Sequence, residues 1–162
     1  MEIRDATPAD VPHVREVAQE AWQAAYAAFL TPGQCRRALD DLYDAESLER
    51  AIEELDGFHL LVAEVDGEVL GFASAEKTWA DEAELYALYV HPDHWGEGVG
   101  SALLEAGIDR LPAAATALKL EVFADNDVGR RFYEARGFDR VGETDVEVAG
   151  DTYRAAIYAL AI

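Results

Sequence analysis

The segment HPDHWGEGVGSALL, residues 91–104, sets Gly96, Gly98 and Gly100 at every second position just before an apolar, helix-like run. Glycine is the poorest helix former after proline, so three of them at a helix entrance imply that something needs that backbone bare. The preceding run AELYALYV (83–90) reads as a strand, ended by His91-Pro92 because proline cannot donate to a ladder. Between a strand end and a helix start the backbone N–H groups are unpaired and the helix dipole is positive. A phosphate or pyrophosphate is the natural ligand there. A P-loop needs Lys-Ser/Thr after its last glycine, and Ser101-Ala102 follows here. A dinucleotide fingerprint needs G-x-G-x-x-G, whereas this spacing is G-x-G-x-G. Both nucleotide readings fit poorly. The alternative is a flexible turn with no ligand, against which stands a cost of about 1 kcal/mol per glycine relative to alanine.

Outward from this segment the elements follow from pattern. Residues EIRD (2–5) make a short strand, and TPAD starts a helix with Thr7 as cap, Pro8 in the first helical position and Asp10 closing a capping box. Val11, Val14, Val17, Ala18, Ala21, Trp22 and Ala25 form its apolar stripe. TPGQ (31–34) reads as a break, and DAESLERAIEEL (44–55) as a second short helix. Strands FHLLVAEV (58–65) and VLGFASAEK (69–77) flank Asp66-Gly67, a tight-hairpin dipeptide. After the glycine segment come a helix to Leu111, a strand ALKLEVF (117–123) and a helix NDVGRRFYEARG (126–137) closed by Gly137. A terminal hairpin turns at Ala149-Gly150-Asp151. The order β-α-α-β-β-β-α-β-α-β-β, without repeats or linkers, predicts one α/β domain over 1–162 with a mixed sheet.

The motif LYVHPDHWGEGVGSALL, followed some way on by N-x-x-x-x-x-F-Y-x-x-x-G-F, resembles the GNAT superfamily of N-acetyltransferases, and the likeness runs over almost the whole chain. The family signature is [Arg/Gln]-x-x-Gly-x-[Gly/Ala] after the fourth strand. Trp95 departs from it, standing where Arg or Gln is usual, and a tryptophan can pack on the cofactor instead. The resemblance implies an enzyme that moves the acetyl group of acetyl-CoA to a primary amine by direct attack in a ternary complex. It implies that the amides of Gly96, Glu97, Gly98, Val99, Gly100 and Ser101 hold the pyrophosphate. Main-chain groups of Leu88 and Val90 would pair with the pantetheine arm. The side chain of Glu97, an acid beside a phosphate site, would point to solvent.

On the helix 126–137, Asn126, Arg130 and Tyr133 share one face, while Val128, Phe132 and Ala135 fall on the opposite, core-like face. By the resemblance Asn126 bonds the pantetheine arm and Tyr133 meets the thioester sulfur. A phenol with a pKa of about 10 is protonated near neutrality and can donate to a leaving thiolate. A tyrosine capping a packing edge is the plain alternative. The amine must arrive neutral. Glu84 is the best candidate base, sharing a strand face with Tyr86, Leu88 and Val90 if no bulge intervenes, with Glu82 behind it. In a chain with 33 acids a solvated Glu84 is an equal reading. A strand N–H near Val90 would meet the oxyanion. Trp22, Tyr26 and Trp79 fall in regions resembling the family's acceptor pocket, though a core role suits Trp22 better. His91 and His94 make no metal set, Cys35 has no nearby histidine to activate it, and no metal is expected.

Composition bounds the rest. The chain has 33 acids against 13 bases, a formal charge of −20, and only Lys77 and Lys119 are lysines. Such a surface repels nucleic acid and anionic membrane, so neither is expected as a partner. The acids are spread from Glu2 to Asp151, a composition like that of salt-loving archaeal proteins, which is preferred over an acidic site recruiting cationic substrates. No apolar run approaches the ~20 residues of a membrane span. MEIRDATPAD shows no export leader and Cys35 is single, so a reducing cytoplasm is the expectation. Three alternatives to acetyl transfer onto a small-molecule amine stay open: a protein amine as acceptor, a longer acyl-CoA, and a non-catalytic acyl-CoA-binding module. A homodimer is one assembly that the resemblance allows.

Overall fold

The structure, a computed structural model, describes residues 1–162. Seven strands run β1 Glu2–Asp5, β2 Phe58–Val65, β3 Glu68–Trp79, β4 Glu82–Val90, β5 Ala117–Phe123, β6 Asp139–Val148 and β7 Asp151–Ala161. Five α-helices run α1 Val11–Tyr26, α2 Pro32–Leu42, α3 Ala45–Glu54, α4 Val99–Arg110 and α5 Asp127–Ala135. The strands form one sheet in the order β1-β2-β3-β4-β5-β7-β6. Every pairing is antiparallel except β4 with β5. This is the mixed α/β arrangement expected from the pattern, with one more helix.

That helix is α2. TPGQ does not merely break the first helix; it starts the next. Thr31 Oγ1 accepts from Gln34 N at 3.1 Å, and Gln34 Oε1 accepts from Thr31 N at 2.8 Å. This reciprocal pair satisfies two donors at a helix start, with Pro32 in the first position, where its missing N–H costs nothing. The break is real, since α1 ends at Tyr26, but the helix that starts at Pro32 was missed.

The central strands are buried on both faces, which is why FHLLVAEV reads as a continuous apolar run rather than an alternating one. Leu60, Val62, Phe72 and Ala87 pack with Val14, Val17, Ala18 and Trp22 on the α1 side. Leu61, Ala63, Leu70 and Ala73 pack with Val99 and Leu103 on the α4 side. A further core group, Leu118, Leu120, Val122, Phe138, Ala156 and Tyr158, lies under α4 and α5. The Asp66-Gly67 hairpin has φ of 51° and 80°, the left-handed pair that this turn requires.

Two irregularities open the sheet at its centre. β4 carries a bulge: Ala75 pairs with Leu85 but Ser74 pairs with Ala87, leaving Tyr86 without a partner. Leu85 consequently packs on the α4 side and Ala87 on the α1 side, although both are odd positions. Glu84 and Tyr86 thus share the α1 side with Ala87, whereas Leu88 and Val90 turn to the α4 side. The single shared face expected for 84, 86, 88 and 90 does not form, because the bulge intervenes. The second irregularity is that β4 and β5 pair only at Glu82–Ala117, Ala83–Leu118 and Glu84–Lys119. Beyond these rungs the strands part.

Candidate active site

The parted strands enclose a cavity of about 940 Å³, walled by Leu85–Val90 of β4, Leu120–Phe123 of β5, the glycine segment and α5. The wall is mostly apolar. At the end of β4, His91 N donates to Leu70 O at 2.8 Å, so the odd positions pair with β3. Leu88 and Val90 therefore turn their main-chain groups to the open edge. There the Val90 carbonyl accepts the indole N–H of Trp95 at 2.8 Å.

This bond explains the tryptophan. Trp95 ties the glycine segment to the end of β4 through its own N–H, and its ring, 46% exposed, lies on the cavity wall. Its polar group is committed within the chain, so only the ring is free to pack on a ligand. It also occupies the Val90 carbonyl, which leaves the Val90 N–H and the Leu88 groups for any strand-like partner. Glu97 is turned away: its carboxylate pairs with His94 Nδ1 at 2.7 Å, and it does not line the cavity. His91 Nδ1 accepts from Asp93 N, a turn role.

Gly96 and Gly98 have φ of 81° and 84°, a region that side-chain-bearing residues rarely adopt. Gly98 stands at the N-cap of α4, and no side chain bonds the amides of this helix start. Gly96, Gly98, Val99, Gly100 and Ser101 all face the cavity. An acyl-CoA would fit here: bare amides at a helix N-terminus suit a pyrophosphate, and an unpaired strand edge suits the amide-bearing pantetheine arm.

α5 stands opposite. Asn126 is its N-cap, with Oδ1 accepting from Gly129 N at 2.9 Å, a role the sequence reading did not assign it. Its Nδ2 remains as a donor on the cavity wall. Asn126 and Tyr133 turn to the cavity, and of the expected core face only Phe132 packs inward: Val128 is 70% exposed at the cavity lip and Ala135 is exposed. α5 reaches the core only through Phe132 and Tyr133, and Tyr133 packs edge-on against Phe132 and Phe138. Burial pushes the Tyr133 phenol far above its usual pKa, which the Arg136 charge opposes, so Tyr133 is held protonated.

Beyond Tyr133 the cavity ends in aromatic rings from the α1 side. Trp22 and Tyr26 line it while being 3% and 4% exposed, so each is a core residue and a wall residue at once. Tyr26 and Tyr89 bring their hydroxyls to 3.4 Å, and burial raises both phenols. Phe123 and Glu121 complete this end. Glu84 sits at the last β4–β5 rung, outside the lining, its carboxyl pushed up by burial and then by Glu121, with Lys119 opposing. Glu82 pairs with Lys119 at 2.7 Å. Trp79 is 76% exposed at the end of β3 and does not reach the cavity. Tyr89, Glu121, Phe123, Val128 and Arg136 are wall residues that the sequence did not single out. The bulge hid Tyr89, the parting of β5 from β4 beyond Glu84–Lys119 hid Glu121 and Phe123, and Val128 was hidden because it lies at the lip and not in the core.

The model of the Acetyltransferase (GNAT) family matches residues 14–138. A spermidine N(1)-acetyltransferase of Thermoplasma acidophilum is 31% identical over 150 residues, 90% of this chain and 91% of that protein. A mycothiol acetyltransferase of Nocardiopsis dassonvillei is 38% identical over 81% of this chain, which spans 42% of that longer relative. The crystal structure of the PaiA N-acetyltransferase of Thermoplasma acidophilum in complex with coenzyme A superposes with a TM-score of 0.83. It shares 27% identity and covers 99% of this chain and 98% of that one.

Proposed function

Because the chain belongs to the acetyltransferase (GNAT) family and is on that ground an acyltransferase, we propose that it transfers the acetyl group of acetyl-CoA directly to a primary amine bound beside it. The observation that carries this reading is the pairing of an uncapped helix start, Gly96–Ser101, with a protonated phenol, Tyr133, on the wall of one cavity. Acetyl-CoA supplies the activated acetyl group and a thiolate leaving group. The amides of the glycine segment hold its pyrophosphate, and the ring of Trp95 packs beside it. Leu88 main-chain groups and Asn126 Nδ2 hold the pantetheine arm.

The amine nitrogen bonds the thioester carbonyl carbon, and the carbon–sulfur bond breaks. Tyr133 donates its hydrogen bond and then its proton to the departing sulfur and regains a proton from solvent; burial keeps the phenol protonated, so the donor is in place as the thiolate forms. The Val90 N–H, at the open strand edge, is the donor for charge developing on the carbonyl oxygen. The attacking amine loses its own proton toward solvent, with Glu84 as the base. Burial makes Glu84 more basic than an ordinary carboxylate, and its place outside the wall means that water carries the proton to it. Trp22, Tyr26 and Tyr89 form the acceptor end, which suits a small amine.

The test is thiol release from acetyl-CoA over a panel of small amines and amine-bearing peptides. Tyr133→Phe is expected to lower kcat by about 100-fold or more, with the Kd for CoA unchanged. Tight CoA binding without turnover on any amine would sink the transfer reading.

The acid surplus has a separate explanation. Spread along the whole chain, it fits an adaptation to molar salt in a cytoplasm rich in KCl, where the Debye length falls to about 3 Å and self-repulsion is screened. The melting temperature is expected to fall as KCl is diluted from molar to millimolar, and equal values in both would reject the adaptation.

A further inference from the structure

The glycine segment of this chain carries no cation that can face a phosphate. Position 95 holds tryptophan, whose N–H is taken by the Val90 carbonyl. Glu97 is an acid, and His94 is paired with it. Among the residues that line the cavity, Arg136 is the only arginine, and no lysine is present.

Arg136 is not loose on the surface. It follows the last turn of α5 and reaches across to the first turn of α4. Its Nε donates to Ser101 Oγ at 3.1 Å, its Nη2 donates to the same oxygen, and its Nη1 donates to the Phe132 carbonyl at 2.8 Å. The guanidinium carbon lies 3.5 Å from the centroid of the Phe132 ring. That ring backs directly onto the glycine segment, since a Cβ on Gly100 would meet it at 3.3 Å. In a chain with 33 acids, Arg136 enters none of the salt bridges.

The chemistry of this fixture is specific. A guanidinium has five N–H donors, of which three are used here, so two remain. Ser101 Oγ accepts from the guanidinium, which leaves its own O–H free to donate. Charge and two kinds of donor thus converge where the helix amides are bare. A polyanion approaching a surface of net charge −20 meets long-range repulsion, and a local cation at the docking point offsets it.

We propose that Arg136 is a phosphate ligand for CoA, supplying from α5, with Ser101, the positive charge that the glycine segment itself lacks. This rests on the acetyl-CoA reading above. The phosphate is either the pyrophosphate or the 3′-phosphate, and the test separates them.

The experiment is calorimetric titration of wild type, Arg136→Gln and Arg136→Lys with CoA, 3′-dephospho-CoA and acetyl-pantetheine, at the lowest salt at which circular dichroism shows all three proteins folded. Arg136→Gln is expected to raise the Kd for CoA by about tenfold or more. Arg136→Lys, a point charge without the fork, recovers part of the loss. A loss of equal size with 3′-dephospho-CoA assigns the pyrophosphate, and a loss confined to CoA assigns the 3′-phosphate. Acetyl-pantetheine lacks both groups and is expected to bind all three proteins alike. If Arg136→Gln binds CoA as wild type does, or weakens acetyl-pantetheine as much as CoA, the assignment of Arg136 falls while the acetyl-CoA reading stands. If wild type itself does not bind CoA, both fall.

Discussion

Helices α4 and α5 both begin on the wall of the cavity, one with its amides bare and the other with its amides closed. At α5 the Asn126 side chain accepts from Gly129 N, and the helix start is self-sufficient. At α4 the N-cap is Gly98, in a left-handed conformation, with no side chain on the amides. Helices α2 and α3 resemble α5, with Thr31 capping α2 and Asp44 capping α3. Helix α1 instead runs on from the short turn 8–10, where Asp10 accepts from Thr7 N at 2.8 Å, and has no side-chain cap of its own. Leaving one helix start uncapped costs about 1 kcal/mol of stability. Among the helices that start from a loop, α4 alone has no capping side chain, which leaves its amides available to a ligand.

The sharpest way to break the comparison is to close α4. Asn and Asp both tolerate the left-handed conformation better than other residues, and they differ chiefly in charge. Gly98→Asn is expected to weaken CoA binding several-fold through the added side chain. Gly98→Asp sets a carboxylate against the phosphate and is expected to cost about 100-fold in Kd. Titration of the two variants side by side measures the charge alone. Equal Kd values for both would mean that no anion sits at this helix start.

A smaller effect is expected where the cap is structural. Asp10 accepts both from Thr7 N and from Arg4, and Arg4 bridges on to Glu64 of β2. The Arg4 guanidinium holds the Asp10 carboxyl below its usual pKa, with burial opposing. A lowered folded pKa means that this stabilisation is complete above the unfolded value of about 4 and disappears as pH falls through the folded one. Asp10→Asn is expected to lose about 2 kcal/mol at neutral pH. Urea titrations from pH 7 to pH 2 check this, because the gap between variant and wild type should close below pH 4. Unlike Gly98, this site should leave CoA affinity unchanged.

The same contrast explains what could be read without coordinates. The glycine segment was legible because a bare helix entrance contradicts helix propensity, and a local contradiction is visible in a string. The strands 58–65 and 139–148 were legible because their bounds are turn residues: Gly57, Asp66-Gly67, Gly137 and Ala149-Gly150 all adopt the left-handed conformations that such turns require. α2 was hidden because Pro32-Gly33 is ambiguous between a stop and a start, and only the Thr31–Gln34 bonds decide it. At the acceptor end Trp22 and Tyr26 were named from the resemblance, but Tyr89 was hidden by the bulge at Tyr86, which reverses the side-chain alternation of β4 without any proline or glycine to announce it. Arg136 left no periodic signal either, since its role comes from two helices meeting.

Asn126 tests whether a capped start can also serve the ligand, and its effect on stability is smaller than that of Asp10. Asn126→Ala removes the cap and is expected to cost about 1 kcal/mol. Asn126→Asp keeps an oxygen for Gly129 N and adds a charge that the helix dipole favours, so its stability should match or exceed wild type. What Asp cannot keep is the Nδ2 donor that faces the cavity. If that donor holds the pantetheine arm, Asn126→Asp is a stable protein with weakened acetyl-pantetheine binding. If the two variants bind acetyl-pantetheine as wild type does, Asn126 is a cap and nothing more, and the division of labour between α4 and α5 is complete: one helix start for the fold, one for the ligand.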